Sequence, residues 1–213
     1  MKTRILICIL LVSAFTLGAE TVIFQETVKG KTTRENIDIT RITENGLSWE
    51  ISTAKDSVSK IGTDENGKVQ AMEVSSTEGN WTLKVDGDNL TSAGTYKGNA
   101  FSGTLPLKGR LWSSGFDMAL KTYIRNNTKG NLPFLMVNPV DISKCTEMVL
   151  VPEKEETLDG KIARRFKITL EGAKSLFWSA KIWADPLTGD QVKYQGNQGP
   201  GTPDMVLVIE RLP

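Results

Sequence analysis

The sequence predicts a mainly β protein, a curved antiparallel sheet in a half-barrel-like meander with one short amphipathic helix. Three observations predict it. Apolar and polar residues alternate with period two over many short segments, as in Phe166, Ile168 and Leu170 against Arg165, Lys167 and Thr169. Turn pairs recur between the segments: Asn45-Gly46, Asn66-Gly67, Asp86-Gly87 and Asp159-Gly160. One segment alone breaks the pattern, where Phe116, Leu120, Tyr123 and Ile124 stand at helical spacing.

Residues 1–19 read as a secretory signal peptide: basic Lys2 and Arg4, an apolar run from Ile5 to Phe15, then small residues at Gly18 and Ala19. The run is shorter than the roughly 20 residues needed to span a bilayer, so the chain is not expected to cross one. A mature chain beginning near Ala19 or Glu20, with residues 20–213 as a single β-rich domain, would be periplasmic or extracellular. Cys8 lies within the apolar run and is not placed for acylation.

The first domain half is expected to hold strands Thr21–Val28, Glu35–Ile42 and Leu47–Thr53, then a second meander from Ser57 to Leu111. The helix follows, with Ser113 or Ser114 as its N-cap. Leu132–Pro139 is an apolar segment bracketed by prolines, which are expected to keep it off a central ladder position. A hairpin from Thr146 to Leu170 comes next, with Ile162, Phe166, Ile168 and Leu170 on one face. Leu176–Ala184 carries apolar bulk at both parities and is expected to be a strand covered on both sides. Asp185–Asp190 turns the chain into a strand through Val192 and Tyr194, and Met205–Leu212 closes the sheet.

Composition excludes several chemistries. The net charge of +1 becomes −1 once Lys2 and Arg4 are removed, which gives no electrostatic case for nucleic acid. Histidine is absent, so Ser-His-Asp and Cys-His nucleophile systems are excluded. Zinc loses its commonest nitrogen ligand, and Cys145, the only cysteine after residue 19, can neither replace it nor form an intramolecular disulfide. No metal or cofactor is expected.

Several motifs fail on inspection. Gly62–Lys68 has the glycine and lysine spacing of a phosphate loop. However, Val69 stands where a magnesium-holding hydroxyl is needed, and Asp64 and Glu65 would repel phosphate. Ser52-Thr53-Ala54-Lys55 and Ser57-Val58-Ser59-Lys60 fit Ser-x-x-Lys but lack its partner motifs. Asp86-Gly87-Asp88-Asn89 has no further ligands at calcium-loop spacing. No pair of acids is singled out for glycoside hydrolysis. Arg164 shares strand parity with Phe166 and either snorkels to water at a sheet rim or meets the acidic head of a lipid.

The remaining candidate is a hydrophobic site. Phe116, Leu120 and Ile124 of the helix, Phe134 and Met136 of the proline-bracketed segment, and Trp178 and Trp183 of the sheet could wall a cavity between sheet and helix. Methionine and aromatic side chains suit a flexible apolar ligand. The same residues also fit a plain packed core.

Ala163–Ile168, Phe177–Asp185 and Val192-Lys193-Tyr194 together resemble exported bacterial proteins similar in architecture to the periplasmic lipoprotein-carrier half-barrels. The resemblance covers residues 146–212. It implies a curved sheet with an acyl-chain cavity on its concave side, although this sequence shows one helix only. The expectation is a noncatalytic exported protein that binds a hydrophobic ligand, such as a lipid or acyl chain, or a lipidated envelope partner. The alternative is an envelope scaffold or protein-interaction module without a cavity.

Overall fold

The computed structural model describes residues 15–197 and 202–212. The first eight strands form an unbroken meander: β1 (Phe15–Val28), β2 (Lys31–Glu44), β3 (Leu47–Ala54), β4 (Ser57–Thr63), β5 (Val69–Ser76), β6 (Gly79–Asp86), β7 (Asn89–Tyr96) and β8 (Asn99–Pro106). After β9 (Leu111–Ser113) comes the helix α1 (Phe116–Arg125). The chain then runs through β10 (Leu132–Met136), β11 (Thr146–Leu158), β12 (Lys161–Leu170), a 3₁₀ turn (Gly172–Leu176), β13 (Ser179–Ala184), β14 (Gln191–Asn197) and β15 (Asp204–Arg211).

Hydrogen bonding joins these strands in one sheet of order β8-β7-β6-β5-β4-β3-β2-β1-β15-β14-β13-β12-β11-β10-β9. Two meanders are thus fused through β1 and β15, paired from Val22↔Arg211 to Val28↔Met205. The edges, β8 and β9, are linked by only residues 107–110, so the sheet must curl until its edges approach. Trp112 of β9 crosses the interior and donates its indole N–H to the carbonyl of Val69 at the start of β5, 3.0 Å away. Every pairing is antiparallel except β9 with β10, whose parallel register needs the intervening helix as a crossover.

Local chemistry sets the turns. Asn45 and Asp159 adopt φ of 52° and 48°, each followed by a positive-φ glycine, the backbone of a two-residue hairpin turn. The helix buries Met118, Ala119, Leu120, Thr122 and Tyr123 on the concave side. Two apolar clusters share this concavity. Leu120, Tyr123, Phe134, Leu150, Phe166, Ile168 and Ile182 centre one over β10–β15. Met118, Val69, Leu83, Leu90, Trp112 and Ile142 centre the other over β4–β8. Cys145 is free and packs at the edge of the second.

Several expectations need correction. Leu176–Ala184 is not one strand: Gly172 takes φ 66°, a 3₁₀ turn forms, and β13 starts only at Ser179. Leu176 and Phe177 are consequently 88% and 77% exposed. On the outer face of β13 Trp183 is buried all the same, against Glu156 and Lys193. Ile162 is 62% exposed beside the β11–β12 turn, and does not share the burial of Phe166 and Ile168. The helix N-cap is Gly115, with no side-chain cap; the Ser113 hydroxyl instead donates to the Gly115 carbonyl. The proline-bracketed segment does enter the ladder, one strand in from the edge. Pro133 is tolerated because β9 pairs only with Phe134–Met136, leaving no neighbour on that side of Pro133. Of the expected signal peptide, residues 1–14 lie outside the described residues, whereas 15–19 belong to β1.

Candidate functional site

Strand alternation decides which side chains face the concave side. Ile182 opposes Phe166 and Tyr194, so all three point inward, and Met205 and Leu207 of β15 share that face. Phe116, the first residue of α1, lies flat on Tyr194, centroids 5.6 Å apart with 5° between planes, and stacks on Trp178 at 6.4 Å and 26°. Beside this stack is an open cleft of about 570 Å³. Met136, Met148 and Met205 line it together with Leu170, Leu207 and the three rings. The volume lies within the range of ordinary small-ligand sites.

The polar tips of the rings turn away from the cleft. The Trp178 indole N–H donates to the Asn197 side-chain oxygen at 2.6 Å, and the Tyr194 hydroxyl donates to the Asn197 carbonyl, also at 2.6 Å. Burial, with Asp204 adding to it, pushes the Tyr194 phenol up to about 12, so it remains protonated. Ring faces and thioethers are left as the wall, a surface suited to an apolar chain of variable shape. The cleft opens at the ends of β10, β12 and β15. Leu170 and Trp178, both in its wall, bracket the projecting turn that carries Leu176 and Phe177.

Past Gln191 and its neighbour Asp190 the concavity is polar and nearly closed, with a pocket of about 100 Å³ left between Trp49, Glu50, Asp117 and Lys121. The Lys121 ammonium lies 2.5 Å from Glu50 and 3.3 Å from Asp190. Arg41 reaches Glu50 at 3.0 Å and Glu20 at 2.7 Å, while Arg211 contacts Asp190 at 3.1 Å and also pairs with Glu20. Burial opposes ionisation of Asp190, but Lys121 and Arg211 outweigh it and hold the carboxyl below its ordinary value. Asp117 on the first helical turn goes the other way, pushed up by burial against the pull of Lys121. Gly189 makes the approach possible: it has φ 77°, and a Cβ there would sit 2.7 Å from the Lys121 backbone.

The structure divides the sequence-based candidates. Phe116, Met136 and Trp178 line the cleft. Leu120 and Phe134 are fully buried in the core, and Ile124 packs against that core from the last turn of the helix, none of them lining the cleft. Trp183 points to the outer face, where its indole N–H bonds Glu156 and the Lys193 ammonium lies 4.9 Å from its ring. That placement follows from alternation, since Ile182 faces inward. Arg164 is half-buried on the inward parity expected of it. Its guanidinium lies over the rings of Tyr123 and Phe166 at 5.3 and 5.4 Å. Sequence reasoning missed Met148, Leu170, Gln191, Tyr194, Met205 and Leu207. The parity of Met205 and Leu207 on the closing strand was the available signal.

No protein-family model and no curated protein matches the sequence. Solved structures do. A β-barrel-like protein of a domain of unknown function from Brucella abortus matches with TM-score 0.56 and 8% identity, over 90% of this chain and 95% of that one. That likeness shows the fold. A hypothetical lipoprotein from Escherichia coli matches at TM-score 0.33 and 11% identity, over 88% and 85% of the two chains. A LolA superfamily protein from Nitrosomonas europaea matches at TM-score 0.20 and 7% identity, over 90% and 83%. The half-barrel resemblance of the C-terminal residues is therefore a resemblance of fold, and function has to be argued from the cleft.

Proposed function

We propose that this protein is an exported, noncatalytic binder of an acyl chain, carried either by a lipid or by a lipidated partner in the bacterial envelope. The observation that supports this reading is the cleft: about 570 Å³, walled by three methionines, three aromatic rings and two leucines, and open at one end. Each methylene withdrawn from water contributes about 0.8 kcal/mol. Ten buried methylenes thus contribute on the order of 8 kcal/mol, against an association cost of at least about 4 kcal/mol. Binding of useful strength needs no charged anchor.

Export is part of the proposal. Cleavage before Glu20 would remove Phe15–Ala19 from β1 but keep Glu20, the partner of Arg41 and Arg211. N-terminal sequencing of envelope material should find Ala19 or Glu20 first. Retention of Met1 would remove the exported reading.

Binding is tested by titrating purified protein with a monoacylglycerol. Quenching or shielding of Trp178 fluorescence should saturate, and the melting temperature should rise with the ratio of ligand to Kd. Leu207→Trp places an indole in the cleft and should abolish both effects while leaving the circular dichroism spectrum unchanged. Leu120, fully buried outside the cleft, is not a suitable blocking position. The scaffold reading is favoured by a different observation, the exposed Leu176 and Phe177. It takes over if no acyl ligand binds and Leu176→Ser with Phe177→Ser abolishes capture of an envelope protein.

A further inference from the structure

Resting on the acyl-chain reading of the cleft, we propose that Gln191 is the cleft's polar stop, and that it selects chains linked as uncharged esters or amides over free fatty acids. Gln191 begins β14 and faces the concave side opposite Ala184, where the pairing of β13 with β14 shifts register. Its side chain lines the cleft, is only 9% exposed, and has no hydrogen-bond partner among the described residues. The amide is not sealed from water as Trp49 Nε1, Trp81 Nε1 and Tyr123 Oη are, so it is reached from the cleft, where a ligand group can take the place of water as its partner. The amide offers two N–H donors and one carbonyl acceptor, the complement of an ester carbonyl or of an amide group.

Two neighbouring features narrow the ligand class. The residues lining the cleft include no charged side chain among those described, so nothing there neutralises a carboxylate brought out of water. The start of α1 also borders the cleft through Ser114, Gly115 and Phe116, and Gly115 provides no side-chain cap. The Asp117 carboxyl already accepts from the first-turn N–H groups of Asp117 and Met118, which leaves the Gln191 amide as a donor facing the cleft. A neutral carbonyl accepts from that amide without bringing a charge out of water. The chain would then run from Gln191 along Met148 and Met205 toward the mouth.

The test compares three ligands of one chain length: 1-monopalmitoylglycerol, its ether analogue 1-O-hexadecylglycerol, and palmitate. Wild-type protein should bind the ester about tenfold or more tightly than the ether, which lacks the carbonyl, and more tightly than palmitate. Gln191→Leu, close in size, should weaken the ester about tenfold and leave the ether unchanged, so that the two become equal. Gln191→Glu should lower ester affinity as well, since it removes both donors. Circular dichroism and the ligand-free melting temperature check that each variant folds. Equal wild-type affinity for ester and ether, or an equal loss for both in Gln191→Leu, overturns the role of Gln191 while leaving the cleft as the acyl site. Failure of all three ligands to bind wild-type protein overturns the acyl reading itself, and this inference with it.

Discussion

The apolar cleft and the charged network share the helix and β15 and adjoin through Asp190-Gln191, yet they are opposite in kind. At one end Phe116, Trp178 and Tyr194 stack beside a volume that no side chain fills. At the other, Lys121 of the helix is surrounded by Glu50 and Asp190, and Arg41 and Arg211 complete a network that draws on four strands or turns besides. The helix is thus fixed by its middle and free of packing partners on one side of its start. Small proteins do not leave apolar walls unpacked without loss, because dispersion contacts vanish wherever the facing atoms are missing.

The largest effect should come from emptying the apolar core beside the cleft. Phe166 is fully buried, meets Tyr123 edge-on at 5.1 Å and lies under Arg164. Phe166→Ala should lose about 3–5 kcal/mol of stability in urea unfolding. Next comes Lys121→Met, which leaves Glu50 and Asp190 short of a cation. It should cost about 3 kcal/mol, the low end for breaking a buried pair, because Arg41 and Arg211 remain. Met148→Ala in the cleft wall should cost only about 1 kcal/mol without ligand, since that side chain has already forgone contacts on one side. Equal losses for Phe166→Ala and Met148→Ala would mean the cleft is packed in solution and the contrast is false.

The finest test is the pH profile. Asp190 and Glu20 are held below their ordinary values of 3.8 and 4.5. In both, burial works against ionisation and the neighbouring cations overcome it. Their contribution is fully present above those values and is lost as pH falls through the lower folded ones. Asp117 has the reverse sign. Its folded value is raised from 3.8 by burial, so stability declines as pH rises from 3.8 through that raised value, then levels. Asp117→Asn should abolish the decline and keep the acid-side loss. If thermal melts from pH 3 to 8 show the same curve for both proteins, the upward shift of Asp117 is false.

How much of this contrast the sequence revealed depended on distance along the chain. Turns such as Asn45-Gly46 and the helix around Leu120 are set by neighbours a few residues apart, and both were legible. Phe116, Met136 and Trp178 were legible as apolar, but not as the lining of a cleft, because Tyr194 and Met205 reach them only through the ladder. The closed end was invisible: Lys121 and Glu50 are 71 residues apart, and nothing local in Leu47–Ala54 marks Glu50 as facing inward. Leu176 and Phe177 misled for a different reason. Their bulk suggested a buried strand, whereas Gly172 allows the chain to turn before pairing resumes at Ser179.

The junction of β1 with β15 has a consequence for how the chain acquires its shape. Within each meander, partners are sequence neighbours, so β2 to β8 can zip together as they become available. The seam is different, for Val22 waits for Arg211 and Val28 for Met205. Until the final strand arrives, β1 is an edge with its inward row, Val22, Phe24, Glu26 and Val28, uncovered on one side. A chain threaded unfolded through a membrane would present its strand-addition site first and the strand that fills it last. Over that interval the protein is most open to pairing with a second copy, and the charged ends Glu20, Arg41 and Arg211 are what make the intended partner the better one.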